Sequence, residues 1–121
     1  MVEFIGKPSQ ERMEVFRGRN IIDISSLTRD EIETIMQTAA YYDKALTEKV
    51  RLYDMDGKIM ASLFFEPSTR TRLSFETAML NLGGRTLGFA GAEQCSATKG
   101  ETVADTARVV SCYADIIAMR H

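Results

Sequence analysis

Three short apolar runs, 59–65, 85–90 and 116–119, are separated by segments whose apolar residues recur at helical spacing. This alternation limits the fold more than any other feature. Strands joined by helices of about a dozen residues make a parallel sheet through crossover connections. The first run, Ile59-Met60-Ala61-Ser62-Leu63-Phe64-Phe65, is apolar almost throughout, as a strand buried on both faces requires. The fold class expected is α/β, a three-layer sandwich with a parallel sheet flanked by helices. Ligands of such sheets bind beyond the carboxyl ends of the strands. Glu66 to Arg72, the loop to Lys99, and Arg120 each follow a strand and should meet at one sheet edge.

The helices can be placed from their signals. Thr28 and Glu31 form a capping box for a helix over 28–46, with Ile32, Ile35, Met36, Ala39 and Leu46 on one core face. After the first strand, Phe75, Ala78, Met79 and Leu82 mark a second helix, and Gly83-Gly84 stops it. Val103, Ala107 and Val110 mark a third within 100–113, leading to a buried final strand. Residues 1–20 are mixed and without period, and are read as an irregular arm; 21–121 form the domain.

Composition sets limits on function. A net charge of −2 lacks the basic excess of a nucleic-acid surface, so no nucleic-acid partner is expected. No apolar run approaches the roughly 20 residues of a membrane span, and the start lacks a secretory pattern, so the expected setting is the cytoplasm, with no membrane partner. Cys95, Cys112 and one histidine offer no metal-ligand spacing, so neither metal nor cofactor is expected, and both cysteines are read as free thiols.

The chemistry concentrates at the turn after the first strand. Ser68 stands at the N-cap position, and Thr69, Arg70 and Thr71 occupy the first helical turn. Amides there have no partner within the helix and lie at the positive end of its dipole. Hydroxyls on Ser68, Thr69 and Thr71 add donors, and Arg70 adds a fixed guanidinium, which together suit a phosphate. Arg72 is the weaker candidate, since Glu76 lies one turn on and can pair with it.

The stretch Phe64-Phe65-Glu66-Pro67-Ser68-Thr69-Arg70-Thr71-Arg72-Leu73-Ser74-Phe75-Glu76 resembles the carbamoyl-phosphate signature of the aspartate and ornithine carbamoyltransferases. Residues 21–31 resemble that family's opening, and Ser96 to Thr102 its mobile loop. The context Lys99 to Thr106, Glu66-Pro67, and Ala118-Met119-Arg120-His121 are similar to the aspartate branch rather than the ornithine one. The resemblance implies a Rossmann-like carbamoyltransferase N-terminal domain, and transfer of a carbamoyl group from carbamoyl phosphate to L-aspartate in pyrimidine synthesis. It implies catalytic roles for Arg70, Thr71, Lys99 and Arg120, and substrate binding by Ser68, Thr69, Arg70, Thr71, Ser96, Lys99 and Arg120. It further implies a homotrimer in which the Lys99 loop enters a neighbour's site, a Glu66 that bridges domains, and an aspartate-binding domain outside this chain. The alternatives are a non-catalytic phosphate-binding or assembly fragment, and an ornithine-type enzyme.

Overall fold

The computed structural model describes residues 6–91, 93 and 99–121. The chain divides into two compact units, Met1–Val50 and Arg51–His121.

In the first unit, helix α1 spans Gln10–Glu14 and helix α2 spans Arg29–Thr47. The α2 capping box forms as the sequence predicts, with the Thr28 side chain accepting from the Glu31 amide and the Glu31 side chain accepting from the Thr28 amide. Part of the presumed arm is helical after all, because the Ser9 hydroxyl accepts from the Arg12 amide and starts α1. Arg12 then reaches Gln37 and Asp30 on α2, and Lys7 lies over the rings of Tyr41 and Tyr42. The expected core face of α2 is not the buried one. Ile35, Met36 and Leu46 are exposed, whereas Thr34 and Ala45 are buried. Among the described residues, the segment before α2 engages Asp30, Gln37 and the tyrosines rather than the apolar stripe.

In the second unit, strands β1 (Ile59–Phe64), β2 (Arg85–Ala90) and β3 (Ile116–Arg120) form one parallel sheet in the order β2-β1-β3. Helix α3 covers Thr69–Asn81 and helix α4 covers Val103–Ser111. Alternate residues of β1 face opposite sides. Ala61, Leu63 and Phe65 pack with Val103 and Val110 of α4, while the Ser62 hydroxyl on the other side bonds Glu76 of α3. The sheet is thus a layer between α3 and α4, the expected three-layer α/β arrangement.

Burial follows strand position. β1 is central and buried from Met60 to Phe64. β3 was expected to be buried, but it is an edge strand with Ile116 and Met119 exposed. Helix α3 likewise buries only Met79 of its predicted stripe, and Phe75 is exposed. Its end is as predicted. The Gly84 amide bonds the Met79 carbonyl, the Gly83 amide bonds that of Leu80, and Gly83 takes the positive φ of 84° that this stop requires.

Candidate functional site

Parallel pairing fixes where the chemistry-bearing residues fall. Phe64, the last residue of β1, is in register with Ala90 on one side and Arg120 on the other. Neighbouring strands lie about 4.8 Å apart, so the three carboxyl ends form a compact edge. From β1 the chain passes to β2 on one side and returns to β3 on the other, so the order switches above β1. That is where α/β sheets open a crevice for a ligand. A cleft of about 150 Å³ lies at this edge on the β2 side of β1, lined by Pro67, Ser68, Thr69, Arg72, Ala90, Gly91 and Glu93.

Helix α3 starts at this cleft in an unusual way. α2 and α4 have hydroxyl caps, Thr28 and Thr102, and acids in the first turn. α3 has neither: the Ser68 side chain makes no capping bond and the first turn holds no acid. Ser68 therefore occupies the cap position without acting as the cap the sequence suggests. Its hydroxyl instead accepts from Nη1 of Arg120 at 2.9 Å. An oxygen that accepts in this way can still donate its own proton. The first helical bond runs from the Arg72 amide to the Ser68 carbonyl. Among the described residues, no hydrogen bond uses the amides of Thr69, Arg70 or Thr71. The result is an open set of backbone donors at the positive end of a helix, with a guanidinium alongside.

Arg120 reaches this turn because β3 ends in register with β1. Its Nε also lies 3.8 Å from Glu66 Oε1, with both side chains about half exposed. Such a pair is worth little in water and can be exchanged for a bound anion. Arg70 is exposed and Thr71 half-buried on the same turn. Lys99 is exposed, and no described contact joins it to the Ser68–Arg120 cluster; Ser96 lies outside the described residues. The His121 ring stands edge-on to Phe65, with centroids 5.4 Å apart.

Arg72 pairs with Glu76 as expected, Nε to Oε1 at 3.4 Å, yet it also lines the cleft. Sequence reasoning missed this double position, and missed Ala90, Gly91 and Glu93 as cleft residues. It also passed over Ser62, which is fully buried and donates to Glu76 at 2.8 Å. A signal was available in each strand. Ser62 is a lone hydroxyl in an apolar run, and Gly88 is a glycine inside a strand, which marks a close approach. No group of metal-ligating side chains occurs among the described residues, and no described helix is long and apolar enough to cross a membrane.

The site can be set beside known proteins. Residues 19–121 match the family described as aspartate/ornithine carbamoyltransferase, carbamoyl-P binding domain. The chain is 54% identical over 107 residues to an aspartate carbamoyltransferase catalytic subunit of Clostridium acetobutylicum, covering 88% of this chain and 34% of that one. It is 51% identical over 107 residues to one of Pyrobaculum arsenaticum, covering 88% and 34%. In structure it is similar to the aspartate transcarbamoylase of Trypanosoma cruzi in complex with carbamoyl phosphate, with TM-score 0.81, 36% identity, and 88% and 33% of the two chains covered. A catalytic subunit of M. jannaschii aspartate transcarbamoylase aligns with TM-score 0.76 and 45% identity, covering 84% and 33%. The chain thus spans about a third of the length of these relatives. With its parallel sheet, its uncapped α3 turn and its match over residues 19–121, the chain belongs to the aspartate/ornithine carbamoyltransferase family, within its carbamoyl-P binding domain.

Proposed function

We propose that residues 21–121 form the carbamoyl-phosphate half of an aspartate carbamoyltransferase, with residues 1–20 as an arm and the aspartate-contacting domain outside these 121 residues. The observation that carries this reading is the Arg120–Ser68 hydrogen bond, which ties the end of β3 to the open amide turn of α3. The aspartate branch is supported by the names of the relatives and by Lys99-Gly100-Glu101-Thr102.

The reaction would proceed by attack of the α-amino group of L-aspartate on the carbamoyl carbon. A tetrahedral intermediate forms, its C–O bond to phosphate breaks, and phosphate leaves carrying the proton the amine gives up, so that N-carbamoyl-L-aspartate remains. No protein nucleophile is needed, so the protein acts by positioning and by charge stabilisation. Ser68, Thr69, Arg70 and the α3 amides hold the phosphate. Thr71 and Arg120 face the carbonyl oxygen, where negative charge grows, and Arg120 also helps to hold the phosphate. Lys99 and Ser96 serve the site of a neighbouring subunit in a homotrimer. Losing one such donor typically lowers turnover by about 10²–10³. Free, exposed Cys112 fits a reducing cytoplasm.

Calorimetric titration of the chain with carbamoyl phosphate and with inorganic phosphate tests the reading. Saturable heat with both, lost in Arg70→Ala, is expected. Folded protein that takes up neither ligand would end the proposal.

A further inference from the structure

We propose that Ser62 and Glu76 are positioning residues for anion binding: they hold Arg72 against the cleft wall, and with it the open first turn of α3. The inference rests on the phosphate reading above and extends it beneath the helix.

Ser68, Arg72 and Glu76 are spaced four apart, so they form one stripe along α3. The stripe begins at the cleft, where Ser68 and Arg72 are both lining residues. It ends at the middle of the sheet. There Glu76 Oε1 accepts from Ser62, a residue of β1 with 0% exposure, and lies 3.4 Å from Arg72 Nε. The Glu76 side chain is only 16% exposed. Ser62 is itself fixed from behind. A Cβ at Gly88 would sit 2.8 Å from the Ser62 hydroxyl oxygen and 2.0 Å from its carbonyl oxygen, so β2 closes on it without room to spare.

A carboxylate placed between helix and sheet is a poor way to gain stability, because an apolar side chain of similar size would avoid the desolvation cost. What the carboxylate does supply is direction. Arg72 Nε is buried and, among the described residues, makes no hydrogen bond, so at this nitrogen Glu76 holds the side chain by charge while it borders the cleft. The same stripe passes the constraint on, since the Arg72 amide bonds the Ser68 carbonyl and the Ser68 hydroxyl receives Arg120.

The idea can be separated from simple electrostatics by sign. Neutralising a carboxylate near an anion site strengthens anion binding if only charge matters. If Glu76 acts through position, Glu76→Gln weakens it. Ser62→Ala changes no charge and should weaken it too, because Glu76 then loses its anchor. The experiment is calorimetric titration of the 121-residue chain, wild type and variants, with inorganic phosphate. Urea denaturation at the titration temperature shows whether each protein is fully folded there.

A net bond of ordinary strength corresponds to roughly a fivefold change in affinity. We expect phosphate to bind about five- to tenfold more weakly to Glu76→Gln and about threefold more weakly to Ser62→Ala. Unchanged or tighter binding to folded variants, with normal binding to wild type, would overturn the positioning role and leave the phosphate site intact. Absence of phosphate binding by wild type would remove both. Should Glu76→Gln not fold, Ser62→Ala decides alone.

Discussion

Arg120 offers a test in which binding and stability should part company. In Arg120→Ala two contacts disappear, the 2.9 Å bond to Ser68 and the 3.8 Å pair with Glu66. Both lie at the solvent edge, and the Arg120 side chain is half exposed. Exposed pairs contribute at most about 1 kcal/mol, so the unfolding free energy should change by less than that. Binding should respond differently. A hydrogen bond to a charged group is worth about 1.5–3 kcal/mol, which weakens phosphate binding roughly ten- to somewhat over a hundredfold. Arg120→Lys should fall between, because a lysine keeps the charge but cannot serve Ser68 and an anion with one planar fork. The assay is calorimetric titration with phosphate at low salt, paired with urea denaturation of each variant. The reasoning is refuted if Arg120→Ala stays folded and binds phosphate within twofold of wild type.

Other consequences can be checked on the same material. Gly88→Ala places a methyl 2.0 Å from the Ser62 carbonyl oxygen at a φ of 150°, so overpacking and backbone strain should together cost about 3 kcal/mol in urea unfolding; a loss below about 1 kcal/mol would show that the strands can separate. Asp115 accepts from the Ile59 amide at 2.9 Å and donates its own amide to the Ile59 carbonyl. Asp115→Ala should lower stability by about 1–2 kcal/mol and speed hydrogen exchange at Ile59, and unchanged exchange would count against the lock. The carboxyl of Asp23 is held below its ordinary value of 3.8, first by the Ser25 hydroxyl and then by the Ser26 amide. A lowered carboxyl stabilises its turn above the unfolded pKa, and that support fades as pH falls through the lower folded value. NMR shifts of Ser25 and Ser26 should therefore titrate with a midpoint below 3.8; a midpoint at or above that value would refute the assignment.

The sheet was legible because it rests on local pattern. Apolar runs of strand length between helical segments admit few arrangements, and β1, α3, β2, α4 and β3 all appear where the pattern puts them. The α2 capping box was legible for the same reason, since Thr28 and Glu31 are three residues apart. The donor-rich turn was legible as composition, Ser68 to Arg72, but not as geometry. Exposure was the weakest part. The apolar stripe of α2 was assigned to the core, yet Ile35 and Met36 face solvent. Periodicity tells which residues share a face, and only the neighbouring chain tells which face is covered.

By itself, the sequence determined the α/β class, the order of its elements, and the one turn rich in amide, hydroxyl and guanidinium donors. Those features depend on residues within a few positions of each other. Tertiary structure alone decided that Ser68 would receive Arg120 instead of capping its helix, and that Ser62 would anchor Glu76 beneath Arg72. These partners are 52 and 14 residues apart in the chain. Strand register brings the first pair together, and the packing of α3 on β1 the second, because only in the folded sheet do distant side chains share a few ångströms of space.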